Sequence, residues 1–194
     1  ADAVNGLIKE AAVEKAFVVG HSMGGYVALA LLEKHPVCLS GYCLFHSHPF
    51  ADTPEVIKKR KNEIAMVKAG NKFLLCNENI KRMYADKNLE KFSKAVENSK
   101  RIASTIPAEG IIAVLRGMMA RPSRQNLMER GLVPCLCILG AFDNHISCEA
   151  MKTRIKLPPN AELVVLENSG HMGFIEEEEA SLDILKSFIK RILN

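Results

Sequence analysis

Residues 18–32, VVGHSMGGYVALALL, set Ser22 between Gly20 and Gly24, where one apolar run ends and another begins. A serine hydroxyl is a weak nucleophile until a neighbouring base takes its proton, and that base must be held in place by an acid. The run before Ser22, KAFVVG (15–20), reads as a short strand buried on both faces. Residues 24–34 read as a helix that is apolar nearly all round, closed by His35-Pro36. A serine at such a strand-to-helix corner is pushed toward a strained backbone and needs small neighbours, the part assigned to Gly20, Gly24 and Gly25. Its hydroxyl then sits at a helix N-terminus, whose dipole favours developing negative charge. The plainer alternative is a turn that happens to contain a serine.

Partners for Ser22 are sought where open parallel sheets build their sites, at the carboxyl ends of the strands. Two further strand-like runs, VPCLCILG (133–140) and AELVVLE (161–167), nominate the residues that follow them. These are Asp143 in LGAFDNHI and His171 in ENSGHMGF. An acid after one strand and a histidine after the next give the order Ser, Asp, His.

The elements that must position these groups follow from periodicity. Residues 1–15 read as an amphipathic helix, and LSGYCLF (39–45) as a strand. From 50 to 130 the pattern is helical, with helices expected at 54–69, 78–84, 89–104, 108–120 and 123–130. A short helix is expected near 147–154. The last helix is expected to open with Glu176 to Glu179 in its first turn and close with Lys190 and Arg191, as its dipole prefers. Strands alternating with helices predict an α/β fold, a parallel sheet of about four strands flanked by helices. The helical block reads as a lid inserted after the second strand.

The motifs GHSMGG, GAFDNHI and NSGHMGF, in this order and spacing, resemble the alpha/beta-hydrolase superfamily, particularly small carboxylesterase-like members with a helical cap. The resemblance covers essentially the whole chain. It implies Ser22 as nucleophile, His171 as general base and Asp143 as the acid. It also implies a hydrolase core of 1–49 and 131–194, a cap of 50–130, and the backbone N–H of Met23 as one oxyanion donor. The family's second donor comes from a loop ahead of the nucleophile strand. No such loop precedes Ser22 here, so the second donor is expected to be missing and the chain reads as N-terminally truncated. Asp52 is the alternative acid, since some members place it after the preceding strand.

Other residues are weaker candidates. His46 and His48, at a strand end, are expected to face the site, and His145, beside Asp143, to line the pocket or be solvated. His21, in the elbow, is a weak substrate-binding candidate expected to pack locally rather than react. Met118 and Met119, with Phe73 and Tyr84, are candidates to shape an apolar acyl pocket. An H-x-H pair with Asp143 could bind a metal, but no clear further ligand accompanies it, so neither metal nor cofactor is expected. The leading reading is a serine hydrolase cleaving a small carboxylic ester, or occasionally an amide or thioester, through an acyl-enzyme. Its rivals are an impaired hydrolase acting as a binding or scaffold protein, and another chemistry on the same residues, such as perhydrolysis, carbon–carbon cleavage or a lyase reaction.

Composition narrows the partners. Residues 51–101 carry 13 Lys/Arg against 7 Asp/Glu, an excess of six, so the rest of a chain of net charge +4 is slightly acidic. No aromatic stacking or groove-reading motif accompanies that charge, which argues against nucleic acid and for a solvated helical face. An anionic substrate or acidic carrier is a weaker alternative. No apolar stretch reaches the roughly 18–20 residues needed to span a bilayer, and a cytoplasmic protein without membrane partners is expected. Of the six cysteines, Cys38, Cys43, Cys135 and Cys137 lie in or beside strand-like runs and read as small hydrophobes. The resemblance further implies strand 15–20 at a sheet edge, since the strand that flanks it in the family is absent here, and a homodimer or swapped assembly is expected to cover it.

Overall fold

In the computed structural model, which describes residues 1–193, four strands form one sheet, all parallel and in chain order. They are β1 (Ala16–His21), β2 (Leu39–Phe45), β3 (Cys135–Gly140) and β4 (Ala161–Leu166). The expected α/β architecture is what forms. β2 and β3 are central and almost wholly buried, which explains why their sequences run apolar without alternation. β1 lies at the edge, as the resemblance implied, and of its residues only Gly20 is buried, so the expectation of a strand buried on both faces fails.

Successive residues of the central strands feed opposite faces. Tyr42, Leu44, Cys135 and Cys137 pack on one side with Leu29, Leu31 and Leu32 of α2 (Met23–Lys34). Cys43, Phe45, Leu136 and Ile138 pack on the other with Phe188 of α10 (Glu178–Leu193). Each leucine buried here contributes about 1.5–3 kcal/mol relative to exposure. α2 packs against β1 and β2 and also against α1, which accounts for its largely apolar sequence.

The first helix, α1 (Asp2–Glu10), is shorter than expected. Ala12 takes a positive φ of 52°, turning the chain toward β1 and leaving residues 11–15 outside the helix. Between β2 and β3 lie α3 (Pro54–Lys68), α4 (Lys72–Lys81), α5 (Ser93–Thr105), α6 (Ala108–Ala120) and α7 (Gln125–Glu129). α4 begins six residues earlier than the expected 78–84, and α5 begins four residues later than expected. α8 (Cys148–Arg154) joins β3 to β4.

One expectation about the C-terminal segment fails. Glu176 does not open the final helix but ends a separate short turn of helix, α9 (Gly173–Glu176), and is buried. Glu178 and Glu179 occupy the first turn of α10, and Lys190 and Arg191 its last.

Candidate active site

All four strands end at the same edge of the sheet, and each delivers a chemically capable residue just beyond its carboxyl end. β1 leads to Ser22, β2 to His46 and His48, β3 to Asp143 and β4 to His171. The sheet ladder continues into this layer. The Ser22 N–H donates to Phe45 O at 2.9 Å, His46 N–H to Ile138 O at 2.8 Å, and Ala141 N–H to Leu166 O at 3.0 Å.

Ser22 sits on the corner between β1 and α2 with φ 51° and ψ −116°, a conformation that strains any residue with a side chain. Its carbonyl accepts from Gly25 N–H at 3.0 Å and from Ser47 Oγ–H at 2.7 Å. A Cβ at position 20 would stand 2.5 Å from the Gly24 carbonyl carbon, and one at position 25 would strike the Ser47 side chain. These two glycines are therefore sterically required. Gly24 is different: a Cβ there meets nothing within 4 Å, so the sequence reading assigned it a need that it does not have. Met23 is the first residue of α2, and N–H groups in a first turn have no intrahelical partner.

His171 and Asp143 meet as the sequence suggested. Their side chains are 3% and 1% exposed, and His171 Nδ1 stands 2.7 Å from Asp143 Oδ2. The ionised carboxylate can only accept, so Nδ1 carries the proton and Nε2 keeps its lone pair. Asp143 Oδ1 accepts the N–H groups of His145 at 2.7 Å and Ile146 at 2.9 Å. Burial alone would raise the Asp143 carboxyl, but His171, His46 and the Ile146 N–H outweigh it and hold it well below the usual carboxylate range.

The loop carrying His171 is fastened from below by two acids. Glu176 accepts four N–H groups: Ala85 and the Asn88 amide at 2.8 Å each on Oε1, Gly170 at 2.8 Å and Met172 at 3.3 Å on Oε2. Glu177 accepts Asn168 N–H at 2.8 Å and Ser169 Oγ–H at 2.6 Å. His171 N–H donates to Met83 O at 2.7 Å, tying the same loop to the segment after α4. The sequence reading missed Glu176 because it belongs to a run of four glutamates that looks solvent-exposed. Its one signal was its place directly after the apolar GFI.

The weaker candidates separate into those that reach the cavity and those that do not. Ser22 and His171 border a cavity of about 420 Å³, together with Tyr26, His48, His145 and Met118. His48 takes the Phe50 N–H on Nδ1 at 3.2 Å, so its Nε2–H faces Tyr26 Oη at 3.2 Å. The remaining wall includes Lys59, Arg60 and Arg154 against Asp52 and Glu63.

Met119, next to Met118 on α6, does not line the cavity, as the turn of about 100° between adjacent helical residues leads one to expect. His21 and His46 are not substrate-facing either. His21 Nε2–H donates to the His171 carbonyl at 2.7 Å and so supports the loop, and His46 is fully buried behind Asp143. Burial lowers His21 and His48 to about 4, which keeps both rings neutral. Phe73 is exposed, and Tyr84 is buried among Ile80, Val96 and Met172.

Asp52 is not the orienting acid. Arg60 Nε holds it at 2.6 Å and Arg121 Nη1 at 2.7 Å, far from any role at His171. The metal alternative also changes shape: the cluster is His46, Asp143 and His171, whose ligand atoms lie within 4.8 Å of one another, without His48. Gly173 N–H donates to His46 Nε2 at 3.2 Å, so Nδ1, the atom facing Asp143, bears the ring proton. A protonated nitrogen has no lone pair for a metal, and these residues do not fit one.

Comparison with known proteins places this geometry. The thermophilic esterase from Thermogutta terrifontis, solved with malate bound, superposes with a TM-score of 0.90 at 25% identity, over 97% of this chain and 70% of that one. The enol-lactonase from Burkholderia xenovorans LB400 superposes with a TM-score of 0.84 at 21% identity, over 96% of this chain and 70% of that one. Lipase 1 from Psychrobacter immobilis is 25% identical over 176 residues, which are 88% of this chain and 54% of the lipase, so the chain spans about half that relative's length. The family model Hydrolase_4, described as serine aminopeptidase, S33, matches residues 1–178. With residues 1–178 covered by that match and its sheet superposing on that of the Thermogutta terrifontis esterase, the chain belongs to the Hydrolase_4 family of alpha/beta hydrolases.

Proposed function

We propose that the chain carries the working site of a serine hydrolase that cleaves a small carboxylic ester through an acyl-enzyme. Ser22 Oγ attacks the ester carbonyl carbon while His171 Nε2 takes the hydroxyl proton. The carbonyl oxygen becomes an oxyanion, which accepts from the Met23 N–H, the first of α2. Asp143 stabilises the imidazolium. When the carbon–oxygen bond of the leaving group breaks, His171 returns the proton to the departing alkoxide. Water then repeats the sequence on the acyl-enzyme, releasing the acid and regenerating Ser22.

The observation that carries this reading is the buried contact between His171 Nδ1 and Asp143 Oδ2. With its Nδ1–H committed to Asp143 at 2.7 Å, its Nε2 lone pair remains free in the layer where Ser22 and His171 border one cavity. The size of that cavity suits a small ester, and Met118 and Leu115 give it an apolar side. The test is turnover of p-nitrophenyl butyrate with intact-mass analysis of acid-quenched samples. A butyryl adduct on Ser22, absent from Ser22→Ala, is expected. Product release without an adduct, or equal release by Ser22→Ala, overturns the proposal.

A further inference from the structure

His46 has no place in the reaction just described, yet the structure spends much on it. It follows β2 with a φ of 46°, a left-handed conformation rare for non-glycine residues, and none of its surface is exposed. Its ring lies 5.7 Å from that of His171 and 6.0 Å from that of His21, centre to centre.

Its two nitrogens are assigned by their neighbours. Nε2 accepts the Gly173 N–H at 3.2 Å and so carries a lone pair, which leaves the proton of the neutral ring on Nδ1. Nδ1 is buried without a hydrogen-bond partner and faces Asp143 Oδ2 at 3.5 Å. Because the other Asp143 oxygen is filled by two backbone N–H groups, Oδ2 alone serves both imidazoles, each presenting an Nδ1–H. At 3.5 Å the His46 contact is longer than a formed N–H···O bond, so it acts as a dipole aimed at a charge in dry surroundings.

We propose that His46 is a positioning residue for the acid: its Nδ1–H dipole competes with His171 for Asp143 Oδ2. This rests on the reading of His171 as the base. The competition weakens the grip of Asp143 on the His171 imidazolium, so His46 sets how readily His171 gives its proton back to a leaving group. The charged and titratable groups around His46 are Asp143, His171, His21 and Glu176, and Asp143 alone is close enough to meet Nδ1.

Two substitutions separate this role from packing. In His46→Asn the side-chain amide nitrogen falls near the place of Nδ1, so the donor to Asp143 survives while Gly173 loses its acceptor. Asn also tolerates the left-handed backbone. In His46→Gln the carbonyl oxygen can reach the place of Nε2, so Gly173 keeps its acceptor and Asp143 loses its donor. The His171 ring is followed by nitrogen-15 NMR against pH in all three proteins, a readout that needs no turnover. Its midpoint should stay in place in His46→Asn and rise by about half a pH unit in His46→Gln.

Equal midpoints in both variants, or equal movement of both, overturn the proposal. So does a wild-type His46 found as the Nε2–H tautomer or protonated at pH 7, a measurement that stands if a variant fails to fold. If the midpoint moves as expected but Ser22 takes no acyl group, the hydrolase reading fails and the positioning role of His46 stands.

Discussion

Replacing Glu176 with glutamine keeps the size of the side chain and removes half of what it does. The carboxylate accepts from Ala85 and Asn88 on one oxygen and from Gly170 and Met172 on the other. An amide has one oxygen. If that oxygen serves Gly170 and Met172, its NH₂ faces the Ala85 N–H and the Asn88 amide, donor against donor. Asn88 can rotate to present its own oxygen, but the Ala85 N–H cannot. A buried donor left unsatisfied costs about 1–3 kcal/mol, and the bonds that survive lose their charge assistance. The sum is about 3 kcal/mol, which for a chain of this size lowers Tm by about 6–12 °C. Scanning calorimetry of Glu176→Gln reads this directly. Glu97→Gln, at a position whose side chain is 69% exposed, serves as control with an expected change under about 0.5 kcal/mol. A Tm within 2 °C of wild type for Glu176→Gln would refute the claim that this carboxylate fastens the His171 loop.

Ser22→Gly should abolish acylation yet raise Tm by about 2–4 °C: glycine adopts φ 51° and ψ −116° without the roughly 1–3 kcal/mol of strain that a side chain incurs, and its freer unfolded chain offsets about 1 kcal/mol, leaving a net gain of about 1 kcal/mol. An unchanged or lowered Tm counts against a strained corner. His21 and His48 are held at about 4 by burial, against about 6.5 when unfolded. The unfolded chain therefore binds more protons between these values, and the stability from keeping both rings neutral is present above pH 6.5 and lost as pH falls toward 4. Tm should decline across that window, and His48→Gln should flatten the decline; equal slopes would show that His48 titrates normally. β1 exposes one edge of the sheet with Val19 46% accessible, and we propose that a second copy pairs there. Light scattering should give the dimer mass, and a monomer at all micromolar concentrations would refute the pairing.

Several features were legible because local chemistry and global position agree. β2 falls exactly where its apolar, aromatic-rich run predicts, and Ser22, Asp143 and His171 stand at strand ends, where the parallel-sheet rule sends functional groups. The failures came where tertiary contacts override a local pattern. His46 and His48, two apart at a strand end, were read as sharing one face, but the left-handed turn at His46 sends it into the core and leaves His48 at the cavity. The start of α4 was missed because KFLLCN carries too many adjacent apolar residues to show helical period, and Phe73 and Leu74 are indeed exposed. Glu176 was read as a dipole partner because charge in a glutamate run usually faces water. Its burial depends on the nearby Gly170 N–H and also on the Ala85 N–H, which is 91 residues away and beyond any sequence window.

The central claim is that Ser22 is made nucleophilic by His171, itself held by Asp143. The most direct measurement is the rate at which a fluorophosphonate probe labels the protein, with the modified residue located by peptide mass spectrometry. The account predicts one adduct on Ser22, none in Ser22→Ala, and labelling slowed about 10³-fold or more in His171→Ala, with the fold retained by circular dichroism. Labelling at another residue, or a His171→Ala protein that labels at the wild-type rate, would contradict it.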